Sequence, residues 1–155
     1  MNCAAAIDRI RDLVAEALPP DVADAVVVIG HPGIQEDYAF ALSLFALQLR
    51  DDASWRTART NPVDRAPLEV DLLIASHAPP ERWYDGIRLL EAACDVVRAN
   101  PRFEGALSHT MAEVQLRPAP VAEVAGVWQA LGTPMQPSVL CTVRVAMAPV
   151  TPDAR

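Results

Sequence analysis

The sequence predicts a single α+β (α/β) domain: a mixed β-sheet packed by two to three helices, in the order α-β-β-β-α-β-α-β. Residues 1–150 form the domain and 151–155 a flexible tail. Three observations predict this. Leu68, Val70, Leu72 and Ile74, and again Val139, Cys141, Val143, Val145 and Met147, keep the two-residue period of a strand. Ile7, Ile10, Val14 and Ala17, and later Trp83, Ile87, Leu90, Cys94 and Val97, keep the three-and-four spacing of a helix. Finally, 155 residues with 52% hydrophobic content can bury a core of their own, in one domain and without a staple.

Each element follows from its local chemistry. The first helix covers about residues 3–18 and stops at Pro19-Pro20. Ala25 to Ile29 is a β-branched run ended by Gly30, and His31-Pro32-Gly33 reads as a turn. Ala39 to Arg50 is apolar at both alternating sets, which suits a long strand covered on both sides, with a buried helix as the alternative that pattern alone leaves open. Asp51 to Pro67 is polar, aperiodic and contains Pro62 and Pro67, so it is a long loop. The Leu68 strand has one wet face at its start, at Glu69 and Asp71. Pro79-Pro80-Glu81 opens the second helix and Asn100-Pro101 ends it. Ala112 to Arg117 is a short strand. Pro120 starts a short helix carrying Val121, Val124 and Trp128, closed by Gly132 and Pro134. The Val139 run is the last strand, and the chain after Pro149 is loose. A sheet with helices on one face would bury these stripes.

Composition excludes several functions. The net charge is −7, and all 13 basic residues are arginine, so a nucleic-acid surface is not expected. No apolar run approaches the ~18 residues of a membrane span; the longest, Ala39 to Leu49, is broken by Ser43 and Gln48. Acids come too early in MNCAAAIDRIRD for a secretory signal, so a cytoplasmic origin is the expectation. Cys3, Cys94 and Cys141 are odd in number and widely spaced, suggesting neither a disulfide framework nor a zinc site.

No catalytic constellation emerges. His31, His77 and His109 have no metal-ligand spacing. Ser76 and His77 are adjacent on a strand and point to opposite faces, so they are no nucleophile–base pair. Nucleophile-elbow, phosphate-loop and dinucleotide motifs do not occur. Cys94 and Cys141 fall on apolar faces and read as inert buried thiols. Asp51-Asp52 reads as a solvated turn rather than a cation site. Trp83 and Trp128 lie on helix stripes and are expected in the core. No catalytic residue, metal ligand or cofactor site is therefore assigned.

Trp55 differs, because it lies in the polar loop among Arg50, Arg56, Arg59 and Arg65. Residues 50–65 carry four arginines against Asp51, Asp52 and Asp64, a net of +1, while the rest of the chain is at −8. Tryptophan among arginines is the composition of an interface anchor, although folding back onto its own core would also satisfy Trp55. The charge asymmetry favours a protein partner over a small-molecule pocket. The candidate interface residues are Arg50, Asp51, Asp52, Trp55, Arg56, Arg59 and Arg65.

Several segments together carry a family resemblance: LSLFALQLRDDASWRTA, APLEVDLLIASHA, VVRANPRF and AEVQLRPAPVAEVAGVWQALGTPMQPSVLCTVRVAM. They resemble the tail-terminator, or cap, proteins of contractile injection systems. The matching positions are Pro67, Leu68, Val70, Asp71, Leu72 and Leu73; Asn100-Pro101; and Val114, Leu116, Pro118, Glu123, Trp128, Leu131, Pro134 and Ser138. The resemblance covers about residues 5–148 and is most specific in the late segment. Cys141 and Thr142 stand where an aromatic is common, and Asp52-Ala53-Ser54-Trp55-Arg56 replaces an asparagine-led loop. Many relatives also carry a long C-terminal extension.

The resemblance implies a homohexameric ring on the distal end of an inner tube and its sheath, ending polymerisation and holding sheath to tube. It implies inner-tube and sheath proteins as partners, with neither nucleic acid nor membrane. The protein would be made in the cytoplasm and built into a contractile particle that release carries outside the cell. No enzyme activity and no cofactor are implied. Closed rings arise from head-to-tail interfaces, and sheet edges can add strands from neighbours. Two other readings remain at this stage. One is a phage tail-completion protein at the head–tail junction. The other is a small enzyme or binding module using Asp51, Asp52, His77 or His109.

Overall fold

The computed structural model describes residues 2–33, 38–51, 68–104 and 110–147. Helix α1 (Cys3–Glu16) begins where the Asn2 side chain accepts a hydrogen bond from the Ala5 amide at 2.8 Å. After it comes one 3-10 turn, Pro20–Val22. Strands β1 (Val26–Ile29), β2 (Ala41–Asp51) and β3 (Leu68–His77) follow. A second 3-10 turn, Pro80–Arg82, leads into helix α2 (Trp83–Ala99). The chain continues through β4 (Arg102–Glu104), β5 (Thr110–Arg117), α3 (Val121–Leu131) and β6 (Ser138–Met147). Gly132 ends α3 with φ +68°, a left-handed cap that glycine adopts without steric cost.

The six strands form one mixed sheet in the order β1-β2-β3-β6-β5-β4. β1 runs parallel to β2 and every other pair is antiparallel. β4 is an edge strand of three residues that the sequence reading omits; its Arg-Phe-Glu run is too short to show a period.

The sheet is covered unequally. On one face, α1 and α2 bury a continuous core containing Ile10, Val14, Leu42, Leu44, Leu72, Ile74, Leu89, Val97 and Val143. On the other face lies a smaller cluster of Leu73, Ala75, Trp128 and Leu140, covered by α3. The expectation of helices on one face is thus corrected, since α3 packs opposite the other two. The alternation of β3 allows this: Leu72 and Ile74 serve one layer, Leu73 and Ala75 the other.

Two further expectations change. β2 is covered on both sides only over Ala41–Leu44, and from Ala46 onward exposed residues recur, Leu49 reaching 60% exposure. Its register with β3 shifts between Ala46 and Gln48, a bulge at the point where cover is lost. In α2 the buried stripe is Gly86, Leu89, Ala93, Val96 and Val97, together with Cys94. This rotates Trp83 out of the core to 51% exposure, whereas Trp128 is 1% exposed as expected. The long loop and the C-terminal tail read from the sequence lie outside the described residues, apart from Asp51.

Candidate protein interface

The β2–β3 pair has two ends. At one, Ala41 faces His77; at the other, Asp51 faces Leu68. Of the candidate interface residues, Arg50 and Asp51 close β2 at the second end. Asp52, Trp55, Arg56, Arg59 and Arg65 lie outside the described residues.

Arg50 reaches across to β3. Its guanidinium donates to Glu69, with Nε at 3.0 Å, and grips both oxygens of Asp71, one at 3.2 Å. The bonds to Asp71 and Glu69 hold its pKa above the ordinary arginine value. Asp71 is 8% exposed, so its charge needs partners. Besides Arg50 it receives a 3.4 Å hydrogen bond from Thr142 and lies 3.9 Å from the Arg117 Nε. Arg117 in turn pairs with Glu123 of α3 at 2.6 Å. A shallow groove of about 350 Å³ opens here, lined by Arg50, Glu69, Gln115, Arg117, Pro118 and Thr142.

The strand register extends this pairing into a row. Arg50 sits opposite Glu69, Glu69 opposite Arg144, Arg144 opposite Glu113, and Glu113 opposite Arg102. Charge therefore alternates across five strands on the face that α3 leaves open. The Arg102–Glu113 rung closes at 3.0 Å. Opposite charges directly across a sheet stabilise it, and like charges would not.

The other end is aromatic and acidic. Arg82 lies 3.8 Å above the Phe40 ring, fixing the start of α2 beside the start of β2. Arg82 also binds Asp24 and Asp85, with contacts of 2.5 and 2.8 Å, and these bonds raise its pKa. Arg88 pairs with Asp21. Trp83 and Tyr84 project beside these pairs, 51% and 78% exposed, stacked edge to face at 5.3 Å. The sequence reading missed this pair. One signal was available: adjacent helical residues point about 100° apart, so a Trp-Tyr dipeptide cannot bury both rings in one narrow stripe.

The remaining candidates for chemistry resolve simply. His31 accepts from the Gly33 amide at 3.0 Å and packs edge-on to Phe45, as a turn residue does. His77 is buried, 3.0 Å from the Ser43 hydroxyl on the neighbouring strand, and burial lowers its pKa. Asp51 and His77 stand at opposite ends of the strand pair, so they share no site. His109 and Asp52 lie outside the described residues. Cys94 and Cys141 are buried, and burial pushes the Cys141 thiol up to about 12, far from a reactive thiolate. Among the described residues no group of histidine, cysteine and acidic side chains could hold a metal, and no helix is long and apolar enough to cross a membrane.

The described residues thus form a mixed sheet with one well-buried face, a charge row on the other and exposed aromatics at one end. The particular family follows from comparison: the Pvc16 N-terminal domain matches residues 6–154, and the chain belongs to that family. Solved structures share the fold. One is the PVC sheath/tube terminator of an extracellular contractile injection system in its extended state, with TM-score 0.69 and 14% identity, covering 100% of this chain and 62% of that one. Another is the tube-terminating cap of the anti-feeding prophage, with TM-score 0.67 and 16% identity, covering 100% of this chain and 61% of that one. This chain thus spans about three-fifths of the length of each. A search of curated proteins gave no match.

Proposed function

We propose that this protein is a structural cap that ends the inner tube and sheath of a contractile injection particle and anchors the one to the other. The observation that carries the reading is the family match over residues 6–154, joined to a whole-chain fold likeness to two terminators. The cap works by occupying a polymer end. One face of a homohexameric ring takes the place of the next subunit layer, and the other offers nothing to grow on. Such a ring is built from head-to-tail contacts that close. The role needs no catalysis, cofactor, nucleic acid or membrane.

The interface is proposed to include Arg50, Asp51, Asp52, Trp55, Arg56, Arg59 and Arg65. Arginine suits it, since its planar fork holds fixed ion pairs better than lysine. Edge strand β1 offers a further contact, with Val26 and Ile29 exposed at 42% and 44%. Electron microscopy of particles assembled without this protein tests the reading. Tubes of irregular length with detached sheath are expected, and stable particles of normal length would refute it. Within that test, Trp55→Ala/Arg56→Ala should fold normally and incorporate poorly; undiminished incorporation would remove the loop from the interface.

A further inference from the structure

We infer that the two edges of the sheet pair with each other between copies. Strand β1 of one chain receives β4 of the next, parallel to it and with Val27 opposite Phe103, so that one sheet runs on through the assembly. The inference rests on the self-association proposed above and names the strands that carry it. Three observations lead to it.

The first is the backbone. The Val26 amide donates to the Phe40 carbonyl at 3.2 Å and the Gly30 amide to the Leu44 carbonyl at 3.0 Å, so β1 bonds to β2 through Val26, Val28 and Gly30. The amides and carbonyls of Val27 and Ile29 therefore point away from the sheet. At the far edge the Val114 amide donates to the Pro101 carbonyl at 2.9 Å. This makes Phe103 and Ala112 the next bonded pair and turns the backbone of Arg102 and Glu104 outward. Among the described residues no strand pairs with either edge. Both edges thus offer outward groups at the same two-residue spacing. In the proposed register the Val27 amide donates to the Arg102 carbonyl, the Glu104 amide to the Val27 carbonyl, and the Ile29 amide to the Glu104 carbonyl. Strand β1 is β-branched throughout and carries no charge, proline or bulge, features with which sheets commonly protect an edge.

The second is the apolar layer. Val27 and Phe103 lie on the α1/α2 face, each only partly buried against the same core, and Ile29 is exposed beside Val27. The layer is therefore unfinished at both edges. Setting Val27 opposite Phe103 joins its two ends, an aromatic ring against β-branched side chains. A slip of one residue would turn Phe103 to the wrong face.

The third is helix α2. Its 17 residues run about 26 Å, close to the ~24 Å between the outer strands of a six-stranded sheet. Its start is tied to the β1 edge, where Arg82 binds Asp24 just ahead of the strand. Its end leads through Asn100-Pro101 into β4. Pairing β1 with the next copy's β4 therefore brings the exposed Trp83 and Tyr84 of one chain towards the exposed Arg98 of the other. Tryptophan, tyrosine and arginine dominate binding hot spots, and a guanidinium is attracted to an aromatic face. Because the two edges differ, the contact is heterologous, the kind that closes into rings.

The test is disulfide trapping between copies. Val26 and Arg102 fall opposite each other in the proposed register, both on the face away from α1 and α2. The background is Cys3→Ser, since Cys94 and Cys141 are buried. Val26→Cys/Arg102→Cys, oxidised with copper phenanthroline, should give a ladder of linked chains on a non-reducing gel, and each single-cysteine chain should give none. Independently, Glu104→Pro removes one outward amide, which an edge strand tolerates. Light scattering should show its association weakened about ten-fold at an unchanged Tm. Wild type that assembles while the double-cysteine chain links no better than the single ones would overturn the inference and leave self-association standing. So would Glu104→Pro assembling like wild type, or Val26→Cys linking by itself, which would mean that β1 meets β1. A wild-type chain that is itself monomeric would overturn the self-association and the inference with it.

Discussion

The two faces of the sheet are built on different principles. The α1/α2 face is a continuous hydrocarbon layer running from Ile10 and Val14 through Leu44, Leu72 and Ile74 to Val143. The α3 face is apolar only around Trp128, Leu73, Ala75 and Leu140, and then becomes the row Arg50–Glu69–Arg144–Glu113–Arg102. The first face holds the fold by burial, which is non-directional and scales with the apolar area removed from water. The second depends on pairing, and pairing depends on register. Burial thus contributes on both faces, over the whole of the first and only around Trp128 on the second.

Substitution breaks or sharpens this contrast. Trp128→Ala should have the largest effect, about 3–5 kcal/mol, because it empties the smaller cluster and leaves the Ser138 hydroxyl without its 3.0 Å partner. A normal Tm would contradict the burial of this ring. Leu72 and Leu73 are consecutive, both 0% exposed, and serve opposite faces. Leu72→Ala should cost about 2–5 kcal/mol and Leu73→Ala should fall in the lower part of that range, since α3 can settle into the smaller gap. Equal costs in chemical denaturation would mean that the two layers are equally rigid.

Charge pairing on this face should weaken with exposure, from buried Asp71 beside the row to Glu113 within it. Asp71→Asn should cost about 1–3 kcal/mol, because it strips buried bonds from Arg50 and Thr142. Glu113→Gln, at an exposed rung, should cost under about 1 kcal/mol. Denaturation midpoints that rank them the other way would show that burial does not set the strength of these pairs.

His77 adds a pH test. Burial lowers its native pKa, while the unfolded imidazole takes up its proton near 6.5. As pH falls below about 6.5 the unfolded state binds the proton first, so stability declines until the native imidazole also protonates. Tm measured from pH 7.5 to 5 should fall less steeply in His77→Gln than in wild type; parallel curves would show that His77 titrates alike in both states. Smallest of all, Trp83→Ala should change stability by no more than about 0.5 kcal/mol. A larger loss would place that ring in the core after all.

Much of this architecture was legible in the sequence, because its signals are local. Alternation at Val139–Met147, the Pro19-Pro20 and Asn100-Pro101 stops and the Gly132 cap act through backbone sterics within a few residues. The family pattern was legible for the same reason, since Trp128, Pro134 and Ser138 are fixed by the fold of one short segment. Trp83 was misplaced because its spacing to Ile87 and Leu90 is helical, yet a parallel stripe through Leu89, Ala93 and Val96 lies next to it on the same helix. Periodicity identifies a helix better than it picks between neighbouring stripes. Strand β4 was missed because three residues carry no period.

The sequence by itself determined the element types, their order apart from β4, the acidic body with its arginine-bearing segment, and the family. Those follow from properties each residue carries wherever it sits. Tertiary structure alone decided that α3 lies opposite α1 and α2, that Ser43 meets His77 across 34 positions, and that five charges scattered from residue 50 to residue 144 fall into one alternating row. Those depend on strand register. A shift of one residue would turn the entire row to the other face, and nothing within a single strand records which neighbour it will meet.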